Sequence, residues 1–277
     1  METIRFNGKN LKQVLEHHYA VFHHPAYLEI DPLTVVHRFR SAGQSDLEIA
    51  ALVSACLAYG RVENIIGMLD ALFGRITGRL ADFTVNTNLK EKKSVFKGMR
   101  YRFNTGSDVA LLFEAIKNAN ADSGSLGRLF ADKLNKGDTN VRDALESFVS
   151  RLKAYAGRAS GADSPGFAFL LPSPRSGSAC KRMCMFLRWM VRPDDGIDLG
   201  LWSAMVPSSM LVIPVDTHVA KGARQLRMTT RGTADWIMAE EITSALRTVD
   251  PQDPVRFDFS LCRAGMVLAR ERGRHAA

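Results

Sequence analysis

The sequence predicts an all-α chain, and three observations carry that prediction. Apolar residues recur at spacings of three and four over most of the length, strand-like alternation is almost absent, and capping residues stand where the apolar patterns begin. With 277 residues, 46% of them hydrophobic, the chain suffices for one large domain or two lobes around an apolar core.

In chain order, Ser45 and Glu48 read as a capping box ahead of Leu47, Ile49, Leu52, Val53, Cys56 and Leu57. A second helix is predicted over 62–76, where Ile65, Ile66, Leu69, Leu72 and Phe73 share one face. Shorter helical patterns follow over 108–118, 125–134 and 141–155, separated by polar punctuation at 86–88, 104–106, 122–124 and 135–138. The small, polar stretch 157–164 is the best linker candidate.

Ser164 before Pro165 reads as an N-cap with proline at the first helical position, opening a short apolar helix that Pro172 and Pro174 stop. A tight loop, 173–178, leads into a helix over 179–191. That helix buries Cys180, Met183, Cys184, Phe186, Leu187, Met190 and Val191. Its other face carries Lys181, Met185, Arg188 and Arg192 at spacings of 4, 3 and 4, a cationic stripe that is either a solvated face or a polyanion contact. Further on, Asp216 stands at the N-cap of a helix bearing Lys221, Arg224 and Arg227. Two more helices are predicted over 234–247 and 254–269, the last capped by Asp253 with Pro254 at its first position.

The 37 basic and 29 acidic side chains leave a net charge of +8. Residues 1–150 hold 19 basic and 17 acidic groups and residues 151–277 hold 18 and 12, so most of the excess lies in the second part. A basic C-terminal part points to a polyanionic partner, nucleic acid first. No apolar run approaches the roughly 20 residues of a membrane span, and the first 13 residues lack a signal peptide's apolar centre, so a cytoplasmic, nucleoid-associated protein is expected. The four cysteines are too scattered for a disulfide scaffold. Cys180 and Cys184 lie one helical turn apart with no second pair at finger spacing, which favours core thiols over a metal cluster. The pairs His17-His18 and His23-His24 have no acidic or cysteine ligands beside them, and adjacent histidines cannot share one helix face; helix surface or N-terminal packing is expected.

Gly177-Ser178-Ala179-Cys180-Lys181, followed by Val215-Asp216-Thr217-His218, resembles the two signatures of the helix-hairpin-helix DNA glycosylase superfamily, the group containing endonuclease III. Lys181 matches the lysine that is the nucleophile of bifunctional members, Gly177 the first hairpin glycine and Asp216 the essential aspartate. The resemblance covers 167–226 and extends to the helix after Ser45. It departs at Ala179, which replaces the second glycine, and in the long interval between Lys181 and Asp216 created by an insertion over 193–211. A comparably long interval is similar to that of the archaeal glycosylases for oxidised guanine. The terminal four-cysteine cluster of endonuclease III has no counterpart, so no iron–sulfur centre is implied, and the chain fits a bacterial branch without an assigned function.

The resemblance implies a two-lobed helical fold. A central lobe over 45–191 would end in the hairpin motif 165–191, and residues 1–44 with 212–277 would form the second lobe. It implies excision of a damaged base from double-stranded DNA, with Lys181 as nucleophile, Asp216 as electrostatic and proton-transfer partner, and no metal or organic cofactor. The chemistry is coherent: breaking a C1′–N bond builds positive charge on the sugar, which a carboxylate stabilises. A lysine attacks only when neutral, a state favoured by neighbouring cations such as Arg182 and Arg188. Arg175, Gly177, Ser178, Arg182, Arg188 and His218 are the candidate DNA contacts, and Tyr59, Arg61, Tyr101 and Phe103 candidates for touching a flipped base. Each residue also has a plainer reading. Asp216 is equally an N-cap, Lys181 a surface lysine, and the aromatic residues packing; the conjunction of Lys181 with Asp216 in order and context carries the catalytic reading. A non-catalytic DNA-binding protein, or an RNA- or nucleotide-processing enzyme, remains an alternative.

Overall fold

The computed structural model describes residues 10–161 and 164–275, with side chains described as far as 267. The N-terminal nine residues and positions 162–163 of the linker candidate lie outside the described residues. The described chain is all-α apart from one two-stranded hairpin. It forms two compact units, Glu29–Ser176 and the pair of segments Met1–Leu28 with Gly177–Ala277. The expected boundaries thus shift: the helix after the hairpin loop belongs with the chain termini and not with the central helices.

The terminal unit opens with α1 (Leu11–Phe22). The central unit then holds α2 (Leu33–His37), α3 (Gln44–Leu57), α4 (Val62–Phe73), α5 (Leu80–Asn86) and α6 (Leu89–Val95). A hairpin of β1 (Arg100–Tyr101) and β2 (Asn104–Thr105) follows, then α7 (Gly106–Ser123), α8 (Leu126–Ala131), α9 (Arg142–Ser160) and α10 (Pro165–Leu170). The chain returns to the terminal unit with α11 (Lys181–Val191), α12 (Thr217–Gln225), α13 (Trp236–Arg247) and α14 (Asp258–His275).

In the central unit α7 is the axis, packed against α5, α6, α8, α9, α10 and β2. Its Phe113 stacks on Phe96 with ring centroids 5.5 Å apart, and both meet Phe83 edge-on. The expected Ser45–Glu48 capping box does not form. Gly43, at φ +103°, is the N-cap of α3, and Glu48 is buried, accepting hydrogen bonds from the Leu126 and Gly127 amides, each 3.2 Å away, at the start of α8. Asp46 likewise accepts from the Ala81 amide of α5 and pairs with Arg79 at 2.7 Å. Two carboxylates near the start of α3 therefore satisfy the orphan amides of two other helices. The cap of α10 does form: the Ser164 hydroxyl accepts from the Phe167 amide, with Pro165 at the first position.

In the terminal unit α14 packs against α1 and α12, and α11 is enclosed: every residue from Arg182 to Val191 is buried. The expected cationic stripe on α11 is corrected accordingly. Arg188 and Arg192 are each 4% exposed, and the insertion after α11 supplies some of their partners. Asp198 is shared between Arg188 Nε (3.1 Å) and Arg192 Nη1, Asp258 pairs with Arg188 Nη1 at 2.5 Å, and Asp253 and Asp195 complete Arg192 at 2.8 and 3.1 Å. Asp195 also meets His23 Nε2 at 2.8 Å, tying the N-terminal segment to the network. The same insertion donates the Leu199 and Trp202 amides to the Trp189 and Met190 carbonyls, closing the C-terminal end of α11, while Trp202 lies edge-on to Phe186 at 5.1 Å. Gly200, at φ +66°, is required there, because a Cβ would come within 2.8 Å of the Asp194 amide nitrogen. The last helix starts at Asp258, later than expected, because Asp253 is engaged by Arg192 and does not cap Pro254.

Burial opposes the charge of Arg192, yet Asp198, Asp253 and Asp195 together outweigh it and hold the guanidinium protonated. Burial also works against the Asp195 anion, but His23 and Arg192 prevail and keep its carboxyl well below the usual carboxylate range. At Asp258 burial wins over Arg188, and the carboxyl is pushed up to about 6.

Two outcomes are expected. Asp198→Ala leaves two buried guanidinium groups short of their shared carboxylate and should destabilise the fold by about 3–5 kcal/mol. Asp70→Ala, which breaks the exposed Arg38–Asp70 pair, should cost under about 1 kcal/mol. Urea unfolding of both variants decides this, and equal costs would remove the network from its structural role. Secondly, an Asp258 carboxyl at about 6 exceeds its unfolded value of roughly 3.9, so over that interval the folded chain holds a proton that the unfolded chain has lost. Its contribution to stability is full below about pH 4 and is lost as pH rises through about 6; Asp195 runs the opposite way, losing its contribution in strong acid. Carboxyl carbon NMR should show a titration near pH 6 that Asp258→Asn removes, and a midpoint near 4 would refute the burial argument.

Candidate active site

Three helices of the terminal unit converge on one carboxylate. Asp216 is the N-cap of α12, its Oδ1 accepting from the Val219 amide at 2.8 Å. The other oxygen, Oδ2, lies 4.0 Å from Lys181 Nζ at the first position of α11 and accepts from the Cys262 thiol of α14 at 3.4 Å. Lys181 is the one residue of α11 left accessible, with a side chain 40% exposed, and the Asp216 side chain is 17% exposed. The expected N-cap role of Asp216 is present, with one oxygen capping the helix while the other faces the amine.

Cys262 is a member of this group that no sequence pattern marks. It sits in an amphipathic helix like any core thiol. Burial and the Asp216 charge push its thiol up, well above the ordinary cysteine range, so it stays protonated and serves as a hydrogen-bond donor to the carboxylate, not as a nucleophile.

The hairpin before α11 has a different character from the expectation. The loop contains a 3-10 turn, Pro174–Ser176, whose Arg175 amide donates to Glu146 at 3.0 Å, and the Ser173 hydroxyl meets the same carboxylate. That amide therefore already has an anion. Ser178 Oγ accepts from the Cys180 amide at 3.1 Å, and its backbone bridges to Asp235. Positive φ falls on Gly177 (+75°) and Cys180 (+48°), while Ala179 is not among the positive-φ residues, so replacing the second glycine at that position is tolerated by the backbone.

Among the expected DNA contacts, Arg175 and Gly177 are exposed, and Ser178 and His218 are half-buried. His218 is enclosed on one side by α14, where Gly265 comes so close that a Cβ would stand 2.9 Å from the His218 Cβ. Arg182 and Arg188 are corrected. Arg182 is 8% exposed, and the Arg188 guanidinium is held by Asp198 and Asp258, so neither is placed at the surface to meet a phosphate. The expectation that cations surround Lys181 changes with them: the charged group facing its amine is the Asp216 carboxylate.

Tyr59, Arg61, Tyr101 and Phe103 lie in the central unit. Tyr59 and Tyr101 face each other at 5.1 Å with reciprocal hydrogen bonds, Tyr59 Oη to the Tyr101 carbonyl (3.0 Å) and Tyr101 Oη to the Tyr59 carbonyl (2.6 Å). Arg61 and Phe103 are exposed. Cys56, Cys180 and Cys184 are buried core thiols, and no helix among the described residues is long and apolar enough to cross a membrane.

No curated protein and no solved structure matches this chain. A family described as "Protein of unknown function (DUF2400)" matches residues 31–267, which takes in α2 to α13, the Lys181–Asp216 pair and Cys262. By that match over most of its length, the chain is a member of the DUF2400 family.

Proposed function

We propose that this protein is a base-excision enzyme that binds double-stranded DNA and removes a damaged base, with Lys181 as nucleophile and Asp216 as its charge and proton-transfer partner. The observation that carries the reading is the meeting of these two side chains: far apart in sequence, they stand 4.0 Å apart at the openings of two helices, and both remain accessible. The motif resemblance and the net charge of +8 support the same reading.

In this reaction Asp216 takes a proton from the Lys181 ammonium and hands it to the departing base, and the neutral amine attacks C1′ of the damaged nucleotide, forming an N–C1′ bond as the glycosidic bond breaks. The base leaves with the bonding electrons and takes up a proton. Asp216 stabilises the positive charge on the sugar and accepts the proton lost from the nitrogen. The C1′–O4′ bond then opens, O4′ is protonated, and an imine joins lysine to the sugar. Cys262 orients the carboxylate through Oδ2, and the Val219 amide orients it through Oδ1. A second reading, a DNA-binding protein that keeps the hairpin for backbone binding without catalysis, rests on the hairpin residues and the basic charge and has no need of the accessible amine beside a carboxylate.

Borohydride treatment of the protein with DNA carrying an abasic site, or with a panel of lesion duplexes, should trap a covalent adduct. Lys181→Gln should abolish the adduct while DNA binding persists, and Asp216→Asn should bind but lose rate by about 10² to 10⁴. Neither adduct nor excision on any lesion would leave the binding reading in its place. The DNA affinity should fall steeply with salt, and Arg175→Ala, at an exposed position, should lower the slope of log affinity against log salt by about one phosphate contact. Affinity indifferent to salt would remove nucleic acid as the partner.

A further inference from the structure

In the central unit, α10 and the β1–β2 hairpin carry two large aromatic rings into solvent side by side. Phe103, at the hairpin tip, is 65% exposed, and Phe169 of α10 is 40% exposed. Their ring centroids are 5.3 Å apart, and Phe169 also meets Tyr59 edge-on at 5.1 Å. Exposing two adjacent phenyl rings forgoes the burial that normally places phenylalanine inside, so the arrangement calls for an occupant.

The rings are held on a stiff base. The Tyr59 and Tyr101 hydroxyls are tied to each other's backbone, and Tyr59 Oη also lies 2.5 Å from Asn104 Oδ1. Asn104, itself buried, donates to the Gly166 carbonyl at 2.6 Å, which fixes the hairpin to α10. The hairpin turns through Arg102 and Phe103 alone, with Arg102 at φ +53°, a region that non-glycine residues seldom occupy. Its guanidinium lies 5.8 Å from the centre of the Phe103 ring and 5.9 Å from that of Tyr59.

The charge beside these rings is positive. Arg61, Arg100 and Arg102 are all exposed, against one exposed carboxylate, Glu63, in the two segments 59–63 and 100–105. Exposed aromatic faces set among arginines fit a ligand that is at once planar, unsaturated and anionic along its backbone. We propose that this surface binds a single nucleic-acid strand, with an unpaired base stacked on Phe103 and the strand's phosphates met by the three arginines. The inference is independent of the chemistry at Lys181, since stacking needs neither the amine nor Asp216.

The test compares oligothymidylate with an abasic oligomer of the same length and charge, at one salt concentration, by fluorescence anisotropy; oligouridylate serves as the RNA arm. The protein should bind the base-bearing strand about tenfold or more tightly than the abasic one. Phe103→Ala should erase most of that preference and leave binding to the abasic strand unchanged, with circular dichroism confirming the fold, as expected for so exposed a side chain. Phe103→Trp should keep the preference and Phe103→Leu, which preserves apolar bulk without a π face, should lose it. Arg102→Ala should weaken both strands. Lys181→Gln should bind like the parent chain, so that failure of the catalytic reading leaves this result standing. Equal binding of base-bearing and abasic strands, or full retention of the preference by Phe103→Leu, overturns the proposal. So does a Phe103→Ala variant whose only change is in the mass of the protein in solution, which would make the patch a contact between copies.

Discussion

The terminal unit depends on one chain of buried ion pairs, Asp258–Arg188–Asp198–Arg192, extended through Asp195 to His23. Buried charges are costly unless each is matched and hydrogen-bonded, and here each guanidinium meets at least two carboxylates. The carboxylates come from three places: the segment after α11, the turn before α14, and the first residue of α14. The network therefore joins stretches distant in sequence and fixes α11 among them. Such a device adds little raw stability over an apolar core, because apolar side chains of similar volume would fill the same space at less desolvation cost.

The candidate site inherits its geometry from that constraint. With α11 enclosed from Arg182 to Val191, Lys181 alone stays accessible at its opening, and the position of its amine follows from a helix that has no room to shift. Asp216 is held by a helix amide on one oxygen and a protonated thiol on the other, so its carboxylate is oriented before any ligand arrives. The proposed amine chemistry would use a carboxylate preoriented beside an accessible amine, because little reorganisation would remain for the reaction step.

The two units present chemically different surfaces. The terminal unit offers an amine and a carboxylate, groups suited to making and breaking bonds. The central unit offers aromatic faces and arginines, groups suited to holding a strand. Their different supports are consistent with this division: a buried ionic network behind the first, and a lattice of tyrosine and asparagine hydrogen bonds behind the second.

Much of the local structure was legible in the sequence. The helical period, the Ser164–Pro165 start of α10 and the Asp216 cap all rest on interactions within a few residues, and those are written in the chain itself. What sequence could not decide was the partner of each charge. Glu48 has capping-box spacing yet caps α8, Asp253 precedes a proline yet binds Arg192, and Arg188 and Arg192 repeat along α11 like a solvated face yet are buried. A charged side chain has the same local signature whether its counter-ion is water, phosphate or a carboxylate some 70 residues away, as for Arg188 and Asp258. Cys262 is invisible for the same reason, since only the packing of α14 against α12 brings its thiol to Asp216. The sequence by itself determined the helices α3, α4 and α7 to α14 and where several begin, while α1, α2, α5 and α6 are not among the helices predicted from it and α9 runs on to Ser160 into the expected linker. The tertiary structure decided which charges are buried, because burial is a property of what packs on a residue and not of the residue's own spacing.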